Sequence, residues 1–261
     1  MMYFVSMVGL GALVGLVIGM TGEGSGSLLT PLLIILAGMT PAQAVGTSLA
    51  FGFTTKLYGT WSFLGRGLVR MDLVKTLVSG GVPGALAGGF LIHYLGLHSP
   101  HFLDAFLLRA IGSILIVVAL LILLKLVPYK YRPGIERPAL FAGRKFRGLL
   151  LFIGFLIGAT VSTTSIGSGA LVVASLVILF PIDSGSLVGT SVVTGMILIA
   201  VSSLPYAAMG NINWQMVVPL LCGSLPAIHF ASRLHGRLPK MVPEGIIATA
   251  LMAIGLRILL A

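Results

Sequence analysis

Apolar residues come in long runs along this chain, and polar residues gather in the gaps between them. Ten runs can be read. The first five cover 3–20, 28–38, 41–65, 72–95 and 102–127; the others cover 148–162, 170–181, 184–208, 214–232 and 244–260. A helix that crosses a bilayer needs about 20 apolar residues. Most of the runs approach or exceed that length, but 28–38 and 170–181 fall short. At about 1.5 Å per residue these two cross only half of the hydrocarbon core. They are predicted to be half-helices that return to the side from which the preceding helix came. Thr40-Pro41 and Asp183-Ser184 stand where helix N-caps belong.

The gaps before the two short runs resemble each other. The first reads Thr21-Gly22-Glu23-Gly24-Ser25-Gly26-Ser27, the second Thr164-Ser165-Ile166-Gly167-Ser168-Gly169-Ala170, and the offset is 143 positions (24 to 167). Gly46-Thr47-Ser48 and Gly189-Thr190-Ser191 keep this offset, as do Pro83 with Pro226 and Gly15 with Gly158. Such registration without gaps marks an internal repeat. A glycine-rich interruption beside a short apolar segment, present once in each half, points to the binding site of a transporter. Small residues also recur every fourth position, at Gly11, Gly15 and Gly19, at Gly154, Gly158 and Ser162, and at Gly80, Gly84 and Gly88. In lipid, such faces let helices approach closely.

Composition narrows the class. The chain has 261 residues, of which 57% are hydrophobic and 8% charged, with a mean hydropathy of +1.10. A soluble domain carries about 25% charged residues, so the expected class is an all-α polytopic membrane protein. One cysteine, Cys222, excludes an internal disulfide and a cysteine-built metal site; it is read as a packing residue. No metal or cofactor is expected. The net charge of +10 does not indicate nucleic acid, because no RNA-binding motif or basic run interleaved with aromatics accompanies it. It orients the helices instead. Arg66, Arg70 and Lys75, the linker region 125–147, and Arg233, Arg237 and Lys240 hold thirteen of the sixteen basic residues. Basic loops face the cytoplasm. The two halves are therefore expected to be inverted repeats of five segments each, 1–128 and 148–261, joined by a cytoplasmic linker at 129–147. Both termini would lie outside, against which Arg257 alone argues. The expected location is the inner (cytoplasmic) membrane, with several passes and lipid all round.

Irregular backbone at membrane depth must line a cavity or be buried in protein. The N-terminus of each short helix would offer free N–H groups and the positive end of its dipole to an anion. The candidate anion ligands are Gly24, Ser25, Gly26 and Ser27 with Gly167, Ser168 and Gly169. Thr47, Ser48, Thr190 and Ser191 form a candidate second layer, unless their hydroxyls bond backbone carbonyls within the bundle. Lys56 lies inside a membrane segment, where a charge costs at least about 2.5–3.5 kcal/mol. It reads as an anion-attracting cavity residue, as the structural partner of a carboxylate, or as a snorkelling side chain. Glu23 reads as a proton-coupling carboxylate or as the counter-ion of Lys56. Arg109 is expected to pair locally with Asp104 or to snorkel. His93 and His229 are expected to be packing residues. Enzyme motifs fail: neither Ser25 nor Ser168 has glycines two positions before and after it, and H-E-x-x-H and Walker patterns are absent.

At its two breaks the chain resembles the TauE/SafE sulfite-exporter family. That family carries in each half a G-x-G-G-G-x-x-x-x-P-x-L break followed by G-T-S. Here Gly22 to Leu33, with Pro31, matches the break, and Val45-Gly46-Thr47-Ser48-Leu49 completes it. The second half keeps Gly167-Ser168-Gly169 and Val188-Gly189-Thr190-Ser191, but has Ser165 for the first glycine and Ala174 for the proline. Serine replaces the middle glycine in both copies. The resemblance spans nearly the whole chain. It implies transport, with export expected, of a small anion such as sulfite, thiosulfate or an organosulfonate, with or without protons. A secondary carrier working by alternating access is the expected function. An anion channel using the same site and a non-transporting membrane scaffold are the alternatives. Oligomeric state is not legible.

Overall fold

A computed structural model describes residues 2–21, 26–126, 144–180, 182–234 and 241–260. Among them are ten helices and no strand: α1 (Met2–Thr21), α2 (Gly26–Ala37), α3 (Pro41–Gly65), α4 (Met71–His98), α5 (Pro100–Leu126), α6 (Arg144–Thr164), α7 (Ala170–Leu179), α8 (Ser184–Ala208), α9 (Trp214–Leu234) and α10 (Met241–Leu260). The protein is an all-α polytopic membrane protein. Each apolar run of the sequence became one helix. Most of the linker at 129–147 lies outside the described residues.

Polar capping explains the sharpest boundaries. Thr40 accepts a hydrogen bond from the Gln43 N–H at 3.4 Å, and Pro41 occupies the first turn. Asp183 accepts from the Ser186 N–H at 2.9 Å, which holds its carboxyl below the usual carboxylate range. Five described helices are long and apolar enough to cross a bilayer, at Met71–His98, His101–Leu124, Arg147–Thr164, Gly185–Ala208 and Trp214–Ala231. α1 and α10 add apolar stretches at Phe4–Gly19 and Gly245–Leu260. α3 is 25 residues long, but its hydroxyls, Gln43 and Lys56 lower its hydropathy. α2, at 12 residues, and α7, at 10, are short; at about 1.5 Å per residue they measure roughly 18 and 15 Å.

The two halves of the chain do not pack as separate bodies. The most extensive helix pairs are α1 on α9, α4 on α6, α5 on α10 and α3 on α8, and each joins one half to the other. Small residues make this possible. A Cβ added at Gly15 would stand 2.6 Å from the Ser224 carbonyl oxygen, and one at Gly158 would collide with the Gly81 carbonyl. Positions 81 and 224 are 143 apart, like 15 and 158. The same reciprocity holds for Gly11 against Leu220 and Gly154 against Leu77, and for Gly80 against Leu151 and Gly223 against Val8. The buried Tyr206 adds a polar tie, its hydroxyl donating to the Ser162 carbonyl at 3.0 Å. Two residues, Cys222 and His229, differ from expectation. Cys222 is exposed on α9 rather than packed, because the packing face of that helix carries Leu220, Gly223 and Ser224. Arg109 is exposed and forms no ion pair with Asp104 among the described residues, which leaves the snorkelling alternative. His229 lies exposed beside the Phe230 ring rather than packed inside, whereas His93 is half-buried.

Candidate functional site

α6 ends at Thr164, and the chain turns through 165–169 before α7 begins. Ser165 donates its N–H to the Val161 carbonyl at 2.8 Å and adopts φ +62°, the left-handed conformation that usually selects glycine at a helix C-terminus. The Thr164 hydroxyl accepts from the Ile166 N–H at 3.2 Å, and Gly167 takes φ +92°. Gly169 caps α7 without a side chain. The N–H groups of Ser168, Gly169 and Ala170 meet no acceptor among the described residues. The break is buried throughout, so these donors and the α7 dipole point into protein rather than into lipid.

Lys56 reaches this break from α3. It is 7% exposed, and its ammonium donates to the Ser168 carbonyl at 3.3 Å. Among the described residues no carboxylate pairs with it. An ammonium carries three donors, so two remain for a ligand. Gly195 on α8 makes room: a Cβ there would lie 2.8 Å from the Lys56 Nζ. The Ser168 hydroxyl is fully buried and has no partner among the described residues. Removing a hydroxyl from water without replacing its hydrogen bond costs about 1–3 kcal/mol. A buried positive charge beside an unpartnered hydroxyl and free N–H groups suits an anion with several oxygen acceptors.

The first break meets the second at Gly26. A Cβ on Gly26 would run into the Ser165 carbonyl. Ser48 joins them, its hydroxyl oxygen accepting from the Ser165 hydroxyl at 3.2 Å. The structure therefore gathers Gly26, Ser48, Lys56, Gly167, Ser168 and Gly169 around one buried locus, with Ser27 buried at the start of α2. Glu23, Gly24 and Ser25 lie outside the described residues. Ser165 was not among the candidate ligands. Its signal was visible, since it stands at the position of the family glycine.

The G-T-S hydroxyls take other partners. The Thr47 hydroxyl accepts from the Asn213 N–H at 3.1 Å, and the Thr190 hydroxyl from the Arg70 N–H at 3.0 Å. Gly46 closes on the Asn211 carbonyl and Gly189 on the Leu68 carbonyl. Residues 70 and 213, and 68 and 211, are again 143 apart. Each motif grips the loop that follows the equivalent helix of the other half. Ser191 donates to the Val188 carbonyl within its own helix at 2.8 Å.

Discontinuous helices meeting around a buried ammonium, within a bundle of apolar helices, define a polytopic membrane transporter. The model of the TauE/SafE sulfite exporter family matches residues 7–258, and the chain belongs to that family. It is 34% identical over 257 residues to "Probable membrane transporter protein YjnA" of Bacillus subtilis (strain 168), covering 98% of this chain and 99% of that one. It is 24% identical over 238 residues to YdhB of the same organism, covering 90% and 91%. It is 27% identical over 239 residues to YunE, covering 85% of each. Both are also called probable membrane transporter proteins. No solved structure matches the chain.

Proposed function

We propose that the protein is a secondary carrier, working as an exporter in the cytoplasmic membrane, for a small sulfur oxyanion or sulfonate such as sulfite or thiosulfate. The observation that carries this is the Lys56 ammonium, buried in lipid-embedded protein and aimed at a helix break with spare donors. One positive charge with several hydrogen-bond donors matches a compact oxyanion better than a halide, which lacks distinct oxygens to place. Gly26, without a Cβ, lets the first break close on the Ser165 carbonyl of the second.

The halves, 1–128 and 148–261 with a cytoplasmic linker between them, are read as inverted. Two features support this. Contacts across the halves are reciprocal: if residue i meets j + 143, then j meets i + 143, as a two-fold axis requires. Along α3 and α8 the contacts run in opposite senses, Lys56 at Gly195 and Gly59 at Val192. Helices related by a two-fold run oppositely only when the axis lies across them. Such an axis lies in the membrane plane, and rocking about it would open the site to each side in turn.

Purified protein in proteoliposomes should take up a labelled sulfur oxyanion saturably and exchange it for unlabelled anion. Flux without saturation or exchange would make the protein a channel. No flux of any small anion would make it a scaffold. Glu23 is the proposed proton-coupling group, and Glu23→Gln should abolish the response of uptake to an imposed pH gradient while uptake itself continues. An unchanged response would remove that role.

A further inference from the structure

A cleft of about 600 Å³ opens between α3 and α9, lined by Thr54, Leu57, Tyr58, Trp61, Ser62 and Leu225. Ligand pockets commonly measure about 300–1,000 Å³. It lies on a different face of α3 from Lys56 and so is separate from the anion site. Tyr58 is 59% exposed and Trp61 80%.

The α3 wall carries a polar stripe. Thr54, Tyr58, Ser62 and Arg66 follow at every fourth residue, along one face of the helix. Polar groups facing lipid are costly and mark function. The Thr54 hydroxyl is satisfied by the Ala50 carbonyl at 3.2 Å. The Tyr58 and Ser62 hydroxyls have no protein partner among the described residues, and both side chains are exposed. Arg66 caps α3 at its basic end and is exposed. Its neighbour Arg70 is neutralised by Asp72 at 3.0 Å; Arg66 has no carboxylate partner among the described residues.

The repeat provides an internal control. At the same offset the second half has Ile197, Val201, Pro205 and Met209, all apolar. The fold therefore does not need the polar stripe. The distances fit one lipid. From Thr54 to Arg66 is twelve residues, about 18 Å along a helix, close to one leaflet of a hydrocarbon core about 30 Å thick. Trp61 sits near the helix end, at the depth where aromatic side chains meet headgroups. Basic clefts between helices on this side of a membrane suit anionic headgroups.

We propose that this cleft holds one anionic phospholipid. Its phosphate meets Arg66 and the Ser62 hydroxyl, and an acyl chain runs along Tyr58, Leu57 and Thr54 to Leu225. Tryptophan fluorescence tests this directly, because the chain has two tryptophans. In the Trp214→Phe variant only Trp61 emits. Reconstituted with brominated phosphatidylglycerol or brominated phosphatidylcholine at equal mole fraction, Trp61 should be quenched by the anionic lipid with about fivefold tighter relative binding, the gain expected from about one arginine at the surface. Adding Arg66→Gln should bring the two lipids level without changing quenching by phosphatidylcholine. In the Trp61→Phe variant, Trp214, at the start of α9 beside an uncharged loop, should show no headgroup preference. Equal quenching of Trp61 by both lipids would overturn the proposal. So would a preference that survives Arg66→Gln, or a Trp61 that neither lipid quenches, since protein would then cover the cleft.

Discussion

Ser165 gives the sharpest test of the site. It holds φ +62° with its hydroxyl on Ser48 and its carbonyl against Gly26. A left-handed conformation costs an L-residue about 1–2 kcal/mol. Ser165→Ala keeps that strain and loses the hydroxyl bond, worth about 0.5–1.5 kcal/mol. Ser165→Gly loses the same bond but relieves the strain. Against this, glycine adds about 0.4–1 kcal/mol of unfolded-chain entropy. The glycine variant should therefore be more stable than the alanine variant by about 1 kcal/mol, the reverse of the ordinary order within a helix. For a chain of this size that is about 2–4 °C in apparent melting temperature. The assay is thermal unfolding of detergent-purified protein, both variants at one scan rate. Because both lack the hydroxyl, the comparison isolates the backbone. An alanine variant melting at or above the glycine variant would refute the strained turn.

Other substitutions separate ligand groups from structural ones. Lys56→Met should weaken oxyanion affinity about 10–100-fold, the loss of charge-assisted hydrogen bonds worth about 1.5–3 kcal/mol, while the protein still elutes as one folded species; calorimetric titration with sulfite or thiosulfate reads it. Thr47→Val and Thr190→Val each orphan one loop N–H, so both should lower the melting temperature by similar amounts and leave anion affinity within about twofold, for an interaction remote from the ligand. In a Cys222→Ser background, cysteines at Ser99 and Asn211 should label from outside, and cysteines at Gly134 and Gly236 from the cytoplasm; positions 99 and 236 on one side would end the inverted reading.

The helices were legible because the punctuation is local. Thr40-Pro41 and Asp183 mark starts whatever the helix packs against, and α3 and α8 fall where the sequence put them, at 41–65 and 184–208. Partner choice was not legible. Glycine every fourth residue announces a close neighbour, but nothing in α1 names α9 as that neighbour. The site was half legible for a related reason. A lysine within an apolar run betrays its depth through its desolvation cost, and glycine pairs betray the breaks. A hydroxyl betrays no direction. Thr47 beside Gly46 reads as one more anion donor, and only the folded chain shows its oxygen accepting from the Asn213 N–H.

The duplicated sequence separates these cases better than residue type does. At several positions where the halves agree, the shared residue serves the fold: Gly46 and Gly189, Thr47 and Thr190, Gly15 and Gly158 make the same contact twice. Where they differ, the fold has already been satisfied once without the residue. Ile199 fills the place of Lys56 and is buried like it, so a lysine is no requirement of the packing. Burying its charge costs free energy that an isoleucine would not. A residue kept at such a cost, where its own repeat manages without it, is best explained by a ligand. The same comparison picks out Arg66, whose counterpart is Met209, and sets it apart from Thr47, whose counterpart Thr190 makes the equivalent loop contact. Asymmetry between the halves therefore singles out Lys56 and Arg66 against a largely shared frame.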